Sequence, residues 1–381
     1  MGESSETSTD AQLRKLFQPI KVGDVTLAHR VVFAPMTRLR ANTRGVHGDL
    51  AVEYYAQRAS VPGSLLISEA TYVSRQAEGR SPNAPGVWNE EQIAGWKRVV
   101  DAVHAKGSYI YMQLWALGRA ARLGYIRERD PDYAYVAASD VPLAGRDEVP
   151  RPLTVEEIKE YVAAFAQAAW NAVFGAGFDG VEIHGANGYL VDQFTQDVSN
   201  TRTDEYGGSV ENRCRFALEV VGAVSAAIGE SKTAIRLSPW SEFQDMRMAD
   251  PVPTFTHLVS RLAKDHTNLA YLHVIEPGYS GNVNTEMKTG ESNAFIREIW
   301  LPRPLVSAGG YIRESALRVA EETGQLIAFG RPYISNPDLP LRLRKDILLA
   351  EWEQDTFYTP GESRGYTDYP FAGGGGGLSE R

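Results

Sequence analysis

The stretch Asp179-Gly180-Val181-Glu182-Ile183-His184-Gly185-Ala186-Asn187-Gly188-Tyr189 is a short apolar strand that ends in three polar side chains within six residues: His184, Asn187 and Tyr189. A regular strand would send alternate side chains to opposite faces. Gly185 and Gly188 let the backbone bend, so the three can converge on one pocket. His and Asn offer two hydrogen bonds to one carbonyl-type oxygen, and Tyr offers a phenolic proton beside them. An oxygen clamp next to a proton donor polarises and protonates an unsaturated substrate. The bland alternative is a strand end whose polar groups are satisfied internally, which requires a partner for each of the three.

Outward from this strand, short apolar runs alternate with helical patterns. Strands are expected at 31–37, 64–72, 109–115, 179–186, 233–239, 270–277, 304–310 and 326–332, and helices at about 49–60, 89–106, 154–176, 209–229, 253–265, 291–300, 313–323 and 338–350. The strands are apolar without alternation, as in a parallel sheet buried on both faces. Thr154 with Glu157 three residues on is a capping box. Eight strand–helix units imply an α/β fold of the (β/α)8 TIM-barrel type, with a doubly wound sheet as the competing architecture. A small hairpin at 18–29, turning at Gly23-Asp24, precedes the barrel. Long loops at 116–153 and 276–291 fall at the C-terminal face, where barrels place active sites, and are lid candidates. Residues 1–10 read as a disordered N-terminus, 11–371 as one barrel domain and 372–381 as a flexible glycine-rich tail.

Composition narrows the function classes. The 381 residues carry 48 acidic and 39 basic side chains, a net charge of −9, with 43% hydrophobic residues. The acidic balance and the lack of a basic run argue against nucleic-acid binding. No stretch has the length of a membrane span and no signal-peptide core follows Met1. Cys214 is the single cysteine, so an intrachain disulfide or a cysteine-cluster metal site is excluded. A cytoplasmic location follows as the expectation. Gly175-Ala176-Gly177-Phe178-Asp179-Gly180 spells a dinucleotide fingerprint, but a helix ends and a strand begins there, the reverse of the order that fingerprint needs.

The other strand ends carry further chemistry. Strand one ends in Pro35-Met36-Thr37, strand two passes Ala70, strand three presents Gln113 and Trp115, and strand five presents Arg236. Ser307-Ala308-Gly309-Gly310 after strand seven and Phe329-Gly330-Arg331 after strand eight expose backbone N–H groups near helix starts, the usual phosphate site of a barrel. Tight turns with a surface arginine are the plain alternative. An amide and a fixed cation at Gln113 and Arg236 suit a polar heterocycle that carries negative charge. Residue types alone support a phosphorylated cofactor or substrate in a barrel and do not single out flavin.

The motifs Ala34-Pro35-Met36-Thr37, Gln113-Leu114-Trp115, His184 through Phe194, NTRTDEYGGSVENR at 200–213, Arg236-Leu237-Ser238-Pro239, Ala308-Gly309-Gly310, Phe329-Gly330-Arg331 and Gly365-Tyr366-Thr367-Asp368-Tyr369-Pro370 together resemble the old yellow enzyme family of FMN-dependent ene-reductases, from about Leu16 to Phe371. The segments at 113–121 and 165–196 are most similar to the fungal branch that includes reductases and isomerases of ergot-alkaloid pathways. The resemblance implies that Pro35, Met36, Thr37, Ala70, Gln113, Arg236, Gly309, Gly310, Phe329, Gly330 and Arg331 line FMN. It implies that His184 and Asn187 hold the substrate's carbonyl or nitro oxygen, that Tyr189 donates the proton, and that Trp115 and Tyr366 shape the substrate cavity. Ala70 stands where many relatives have glycine. Arg119 stands where some carry an aromatic and is expected to place a cation near the pocket mouth.

The reading is an FMN ene-reductase that takes hydride from NADPH or NADH and delivers it from flavin N5 to an activated alkene: an α,β-unsaturated aldehyde, ketone, imide or nitro compound. Rivals are an isomerase using the same flavin without net reduction, a flavin-free phosphate-binding barrel, and a non-catalytic FMN-binding protein.

Overall fold

The computed structural model describes residues 14–281 and 283–373; the expected N-terminal segment 1–10 and all of the tail beyond Gly373 lie outside the described residues. Eight strands form a closed parallel barrel: β1 Val31–Phe33, β2 Leu65–Ile67, β3 Tyr109–Trp115, β4 Gly180–Gly185, β5 Thr233–Leu237, β6 Tyr271–Ile275, β7 Leu305–Ala308 and β8 Leu326–Phe329. Each pairs with its sequence neighbour, except that the β1–β8 pairing closes the ring. The principal helices are α1 Asp49–Arg58, α2 Glu90–His104, α3 Val155–Trp170, α4 Val210–Ile228, α5 Val252–Asp265, α6 Ala294–Trp300, α7 Arg313–Thr323 and α8 Leu339–Lys345. The expected hairpin is present as Ile20–Val22 paired antiparallel with Val25–Leu27.

The period-two geometry of the strands separates two apolar layers. Val181 and Ile183 of β4 belong to the core between sheet and helices, with Phe165, Phe216 and Val220. Val32, Leu65, Tyr111, Ala234, Tyr271 and Val306 fill the barrel interior. On β4 the alternate residues Glu182 and His184 therefore share the inward face with this second set. Gly180 is required by closure: a Cβ there would stand 2.3 Å from Tyr111 Cε1 and 2.5 Å from the Lys232 carbonyl oxygen.

Local chemistry sets the element ends. Thr154 Oγ1 accepts the Glu157 N–H at 3.2 Å while Glu157 accepts the Thr154 N–H at 2.8 Å, so α3 begins on its capping box. The expected second strand is split: after Ile67 the chain bends at Ser68–Ala70, and Thr71–Tyr72 then pairs with Leu114 and Trp115. β1 stops at Phe33 because Pro35 has no N–H to continue the ladder. The 116–153 excursion holds a short helix, Leu123–Arg129, and a pair of two-residue strands, Val136–Ala137 and Arg151–Pro152. The 276–291 excursion holds the ribbon Tyr279–Ser280 with Val283–Asn284. Cys214 is buried in α4, where burial pushes its thiol up to about 12. Among the described residues no helix is long and apolar enough to cross a membrane.

Candidate active site

A cavity of about 890 Å3 opens at the C-terminal ends of the strands. Its wall includes Pro35, Met36, Thr37, Ala70, Gln113, Trp115, His184, Asn187, Tyr189, Arg236, Gly309, Gly310, Phe329, Gly330 and Arg331. Fifteen of the sixteen residues expected to line cofactor or substrate or to donate the proton thus face one space.

The β4 terminus builds the polar end of that space. Asn187 and Gly188 adopt left-handed backbone angles, φ 58° and 73°, which turn the chain sharply after Gly185. The turn is held on both sides: the Asn187 N–H donates to Ser238 Oγ at 2.8 Å and the Gly188 N–H to Asp192 Oδ2 at 2.8 Å. A Cβ at Gly188 would meet Met246 Cγ at 2.7 Å, so a side chain cannot replace glycine without displacement. Tyr189 follows as the cap of the helix Leu190–Thr195, its ring edge-on to Trp115 at 5.0 Å and to His184 at 4.8 Å. His184 Nδ1 and Asn187 Oδ1 are buried without a hydrogen-bond partner among the described residues. Burial, reinforced by Arg236 and His273, holds the His184 imidazole well below its ordinary pKa and therefore neutral. Burial raises the Tyr189 phenol, while Arg80 and Arg122 pull it back down. The phenol is protonated at neutral pH.

Beneath the polar end lies a charge cluster that sequence reasoning missed. Glu182 is fully buried, accepts Gln113 Nε2–H at 2.8 Å and contacts His273 Nδ1 at 2.7 Å. Burial alone would raise its carboxyl, but His273, then Arg236 and Gln113, outweigh burial and hold it lowered and ionised. His273 is lowered by burial and stays neutral, donating Nδ1–H to the carboxylate. Arg236 is half-buried on the cavity wall, with Nε unpartnered and Glu182 acting on it as a counter-charge. The signal was in the sequence: a carboxylate at an inward position of an apolar strand needs a partner.

At the opposite rim, Gly309 and Gly310 follow β7 with φ 147° and 60°. A Cβ on Gly310 would lie 1.7 Å from Tyr279 Oη, and one on Gly330 2.6 Å from Met36 Sδ. Bare backbone is enforced at Gly310, beside the start of α7, by its positive φ and the Tyr279 contact; at Gly330 only the flexible Met36 side chain would have to move. Arg331 donates to Asn284 Oδ1 at 2.6 Å and lies over the Trp352 ring.

Two expectations are corrected. Tyr366 is not on the cavity wall: its ring stacks on Tyr54 at 3.9 Å, between Arg38 and Arg40. Those arginines donate to the carbonyl groups of Thr356, Phe357, Glu362, Arg364 and Gly365, which pulls this part of the chain inward. Tyr358 takes the place on the wall. Arg119 is also buried away from the cavity, donating to the Gln244 carbonyl at 2.9 Å and the Asp245 carbonyl at 3.3 Å. The cations that line the cavity near Tyr189 are Arg80 and Arg122.

The sequence profile of the NADH:flavin oxidoreductase / NADH oxidase family matches residues 15–349. The chain belongs to that family. It is 50% identical over 364 residues to a chanoclavine-I aldehyde reductase of Penicillium roqueforti, covering 94% of this chain and 97% of that one. It is 46% identical over 364 residues to an aldehyde reductase of a Cladobotryum species (94% and 95% covered) and 47% over 366 residues to a probable inactive reductase of Epichloe festucae var. lolii (94% and 95%). Among solved structures it superposes on an old yellow enzyme from Pichia sp. with TM-score 0.86 at 36% identity, covering 94% of each chain. A morphinone reductase variant in complex with tetrahydroNAD gives 0.84 at 39%, covering 95% of this chain and 99% of that one. The protein is an FMN-binding oxidoreductase of the old yellow enzyme type. The donor set fits the cofactor: Gln113 and Arg236 offer an amide and a cation to a heterocycle edge, and the bare backbone after β7 and β8, with Arg331, offers N–H groups and charge to a phosphate.

Proposed function

We propose that the protein is an ene-reductase for activated alkenes, α,β-unsaturated aldehydes foremost. The observation that carries the reading is the pair of unpartnered polar groups, His184 and Asn187, buried beside the protonated phenol of Tyr189 on the cavity wall. FMN, when bound, would supply hydride transfer between NADPH or NADH and the alkene, and Gln113, Arg236 and Arg331 would hold it. His184, through a ring N–H, and Asn187, through Nδ2–H, donate to the substrate oxygen, which orients the alkene and draws charge away from it. A neutral His184 offers a hydrogen bond without a full charge, so the oxygen is polarised but not trapped. Tyr189, held by Trp115 and His184, gives its phenolic proton to the carbon next to the activating group. The aldehyde reductases among the relatives favour an aldehyde as the activating group.

Pocket, phenol and cation pair also suit an isomerase; Tyr189 favours net reduction, because a phenol completes the reaction by protonation. The test is anaerobic turnover of NADPH with a set of enals and enones. Stoichiometric saturated product is expected; NADPH-independent isomerisation would refute the reading. His184→Ala with Asn187→Ala should abolish charge-transfer binding of simple phenols and leave FMN bound, because each donor lost to a partly anionic oxygen costs roughly 1.5–3 kcal/mol.

A further inference from the structure

The cavity has a second cationic end. Arg80 lies in the loop after β2 and Arg122 in the excursion after β3, and both line the cavity on the side of Tyr189. Their backbones are locked together. The Arg122 N–H donates to the Gly79 carbonyl at 2.7 Å, and the Arg80 N–H donates to Tyr72 Oη at 2.8 Å. Gly79 has φ 138°, and a Cβ there would stand 2.8 Å from Ala121 Cβ, so the two segments meet in direct contact next to both arginines. The Tyr72 ring stacks on Trp115 at 5.0 Å, which ties the pair to the site wall.

Neither guanidinium has a hydrogen-bond or ion-pair partner among the described residues; Arg80 packs 5.8 Å over the Tyr358 ring. The surroundings do not neutralise them. Arg146 adds a third positive charge, and burial, then Arg80 and Arg146, depress the Arg122 guanidinium. Glu148 lines a small adjoining cavity of about 400 Å3 with Arg122 and Arg146. Two unpaired cations on adjoining segments of one cavity wall repel each other, and a ligand anion relieves that repulsion. The FMN phosphate does not supply it. Its cradle follows β7 and β8, and in an eight-strand ring β3 stands opposite β7.

We propose that Arg80 and Arg122 form an anion subsite at the cavity mouth that takes the 2′-phosphate of a phosphorylated nicotinamide donor and so selects NADPH over NADH. The inference rests on the reductase reading above, which brings a dinucleotide into this cavity. A carboxylate on an unsaturated substrate presents the same chemistry, and the two sources separate experimentally.

The experiment is anaerobic stopped-flow reduction of the holoenzyme by NADPH and by NADH, parent against Arg80→Gln/Arg122→Gln. The NADPH concentration giving half-maximal rate should rise about 10- to 100-fold, from two lost charge-assisted bonds. The NADH value should move no more than about threefold, with the limiting rates unchanged. Added salt should weaken NADPH in the parent and much less in the variant. Arg122→Lys, which keeps the charge, should recover part of the affinity. Equal effects on both donors, or none, overturn the assignment. A selective loss for a carboxylated enal against its neutral analogue, with NADPH unmoved, overturns the nucleotide assignment and gives the subsite to the substrate. A parent protein without a flavin spectrum fails the reductase reading itself. Calorimetry with adenosine 2′,5′-bisphosphate against AMP then still reads the subsite, and lack of any preference overturns it.

Discussion

Glu182→Gln should separate a charged centre from a merely polar one. The side chain keeps its shape and loses its charge. In the parent, Glu182 accepts from Gln113 at 2.8 Å and from His273 at 2.7 Å, and it is the buried counter-charge of Arg236. A glutamine accepts only through Oε1, so its own N–H groups face one of the two existing donors. Arg236 is left as a half-buried cation without its counter-charge. An unsatisfied buried donor costs about 1–3 kcal/mol, and the lost counter-charge of Arg236 adds to it. Urea unfolding at pH 7 should show this loss in the midpoint with an unchanged slope. The pH dependence adds a sign. The folded carboxyl lies below its ordinary 4.5, so its stabilisation is full above that value and is lost as pH falls through the folded value. The gap between parent and variant should therefore be flat from pH 8 to about 5 and close in stronger acid. A variant within about 1 kcal/mol of the parent at pH 7 would mean that Glu182 is protonated in the fold, and the account of Gln113 and Arg236 would fall with it.

Tyr189→Phe should slow flavin reoxidation by an enone about 10²–10⁴-fold and leave reduction by NADPH nearly unchanged; equal slowing of the two half-reactions would remove Tyr189 from proton transfer. Arg38→Met deletes the bonds from its guanidinium to Tyr54 Oη at 2.8 Å, the Phe357 carbonyl at 3.1 Å and the Gly365 carbonyl at 2.6 Å. A loss of roughly 2–4 kcal/mol and faster proteolysis within 353–370 are expected, with weakened substrate binding because Tyr358 adjoins this anchor; unchanged protection would refute the anchoring role. His29 is buried and neutral, accepting the Val31 N–H on Nδ1, and its folded pKa of about 4 lies below the ordinary 6.5. The unfolded chain takes that proton first, so stability should fall by about 1.4 kcal/mol per pH unit from pH 6.5 down to about 4 on account of this group. Paired acid titrations of parent and His29→Gln should show that slope lost in the variant.

What the sequence made legible has a common physical origin. The barrel was readable because non-alternating apolar runs and helical patterns repeat eight times; burial on two faces suits a doubly wound sheet as well, and the count of eight with polar residues at several strand ends favours the barrel. The β4 triplet and the bare backbone after β7 and β8 were readable because each is local: glycines at fixed spacing beside the polar groups they turn. The residues that escaped act across long sequence separations. Glu182 looked like a strand residue until Gln113, 69 positions away, and His273, 91 positions away, were brought to its carboxylate. Tyr366 and Tyr358 sit in one segment of similar composition; Arg38, more than 300 positions upstream, decides which ring turns inward.

The same distinction explains why the cation at the mouth was assigned to the wrong arginine. Arg119 and Arg122 are three residues apart in one loop, and their neighbours in sequence do not tell them apart. Arg119 follows Gly118, whose φ of 57° reverses the chain, and its N–H donates to Gln193 Oε1 at 3.1 Å. That bond aims the guanidinium at the carbonyl groups of 244 and 245, where it is satisfied and screened from the cavity. Arg122 instead bonds through its backbone to Gly79, which leaves the side chain free to face the opening beside Arg80. An arginine whose guanidinium is saturated by carbonyl groups braces a loop, and one whose backbone alone is tied has charge to spare for a ligand. On that criterion the specificity of this cavity for charged ligands resides in Arg80 and Arg122, and substitution of Arg119 should change loop stability and leave nucleotide preference unaltered.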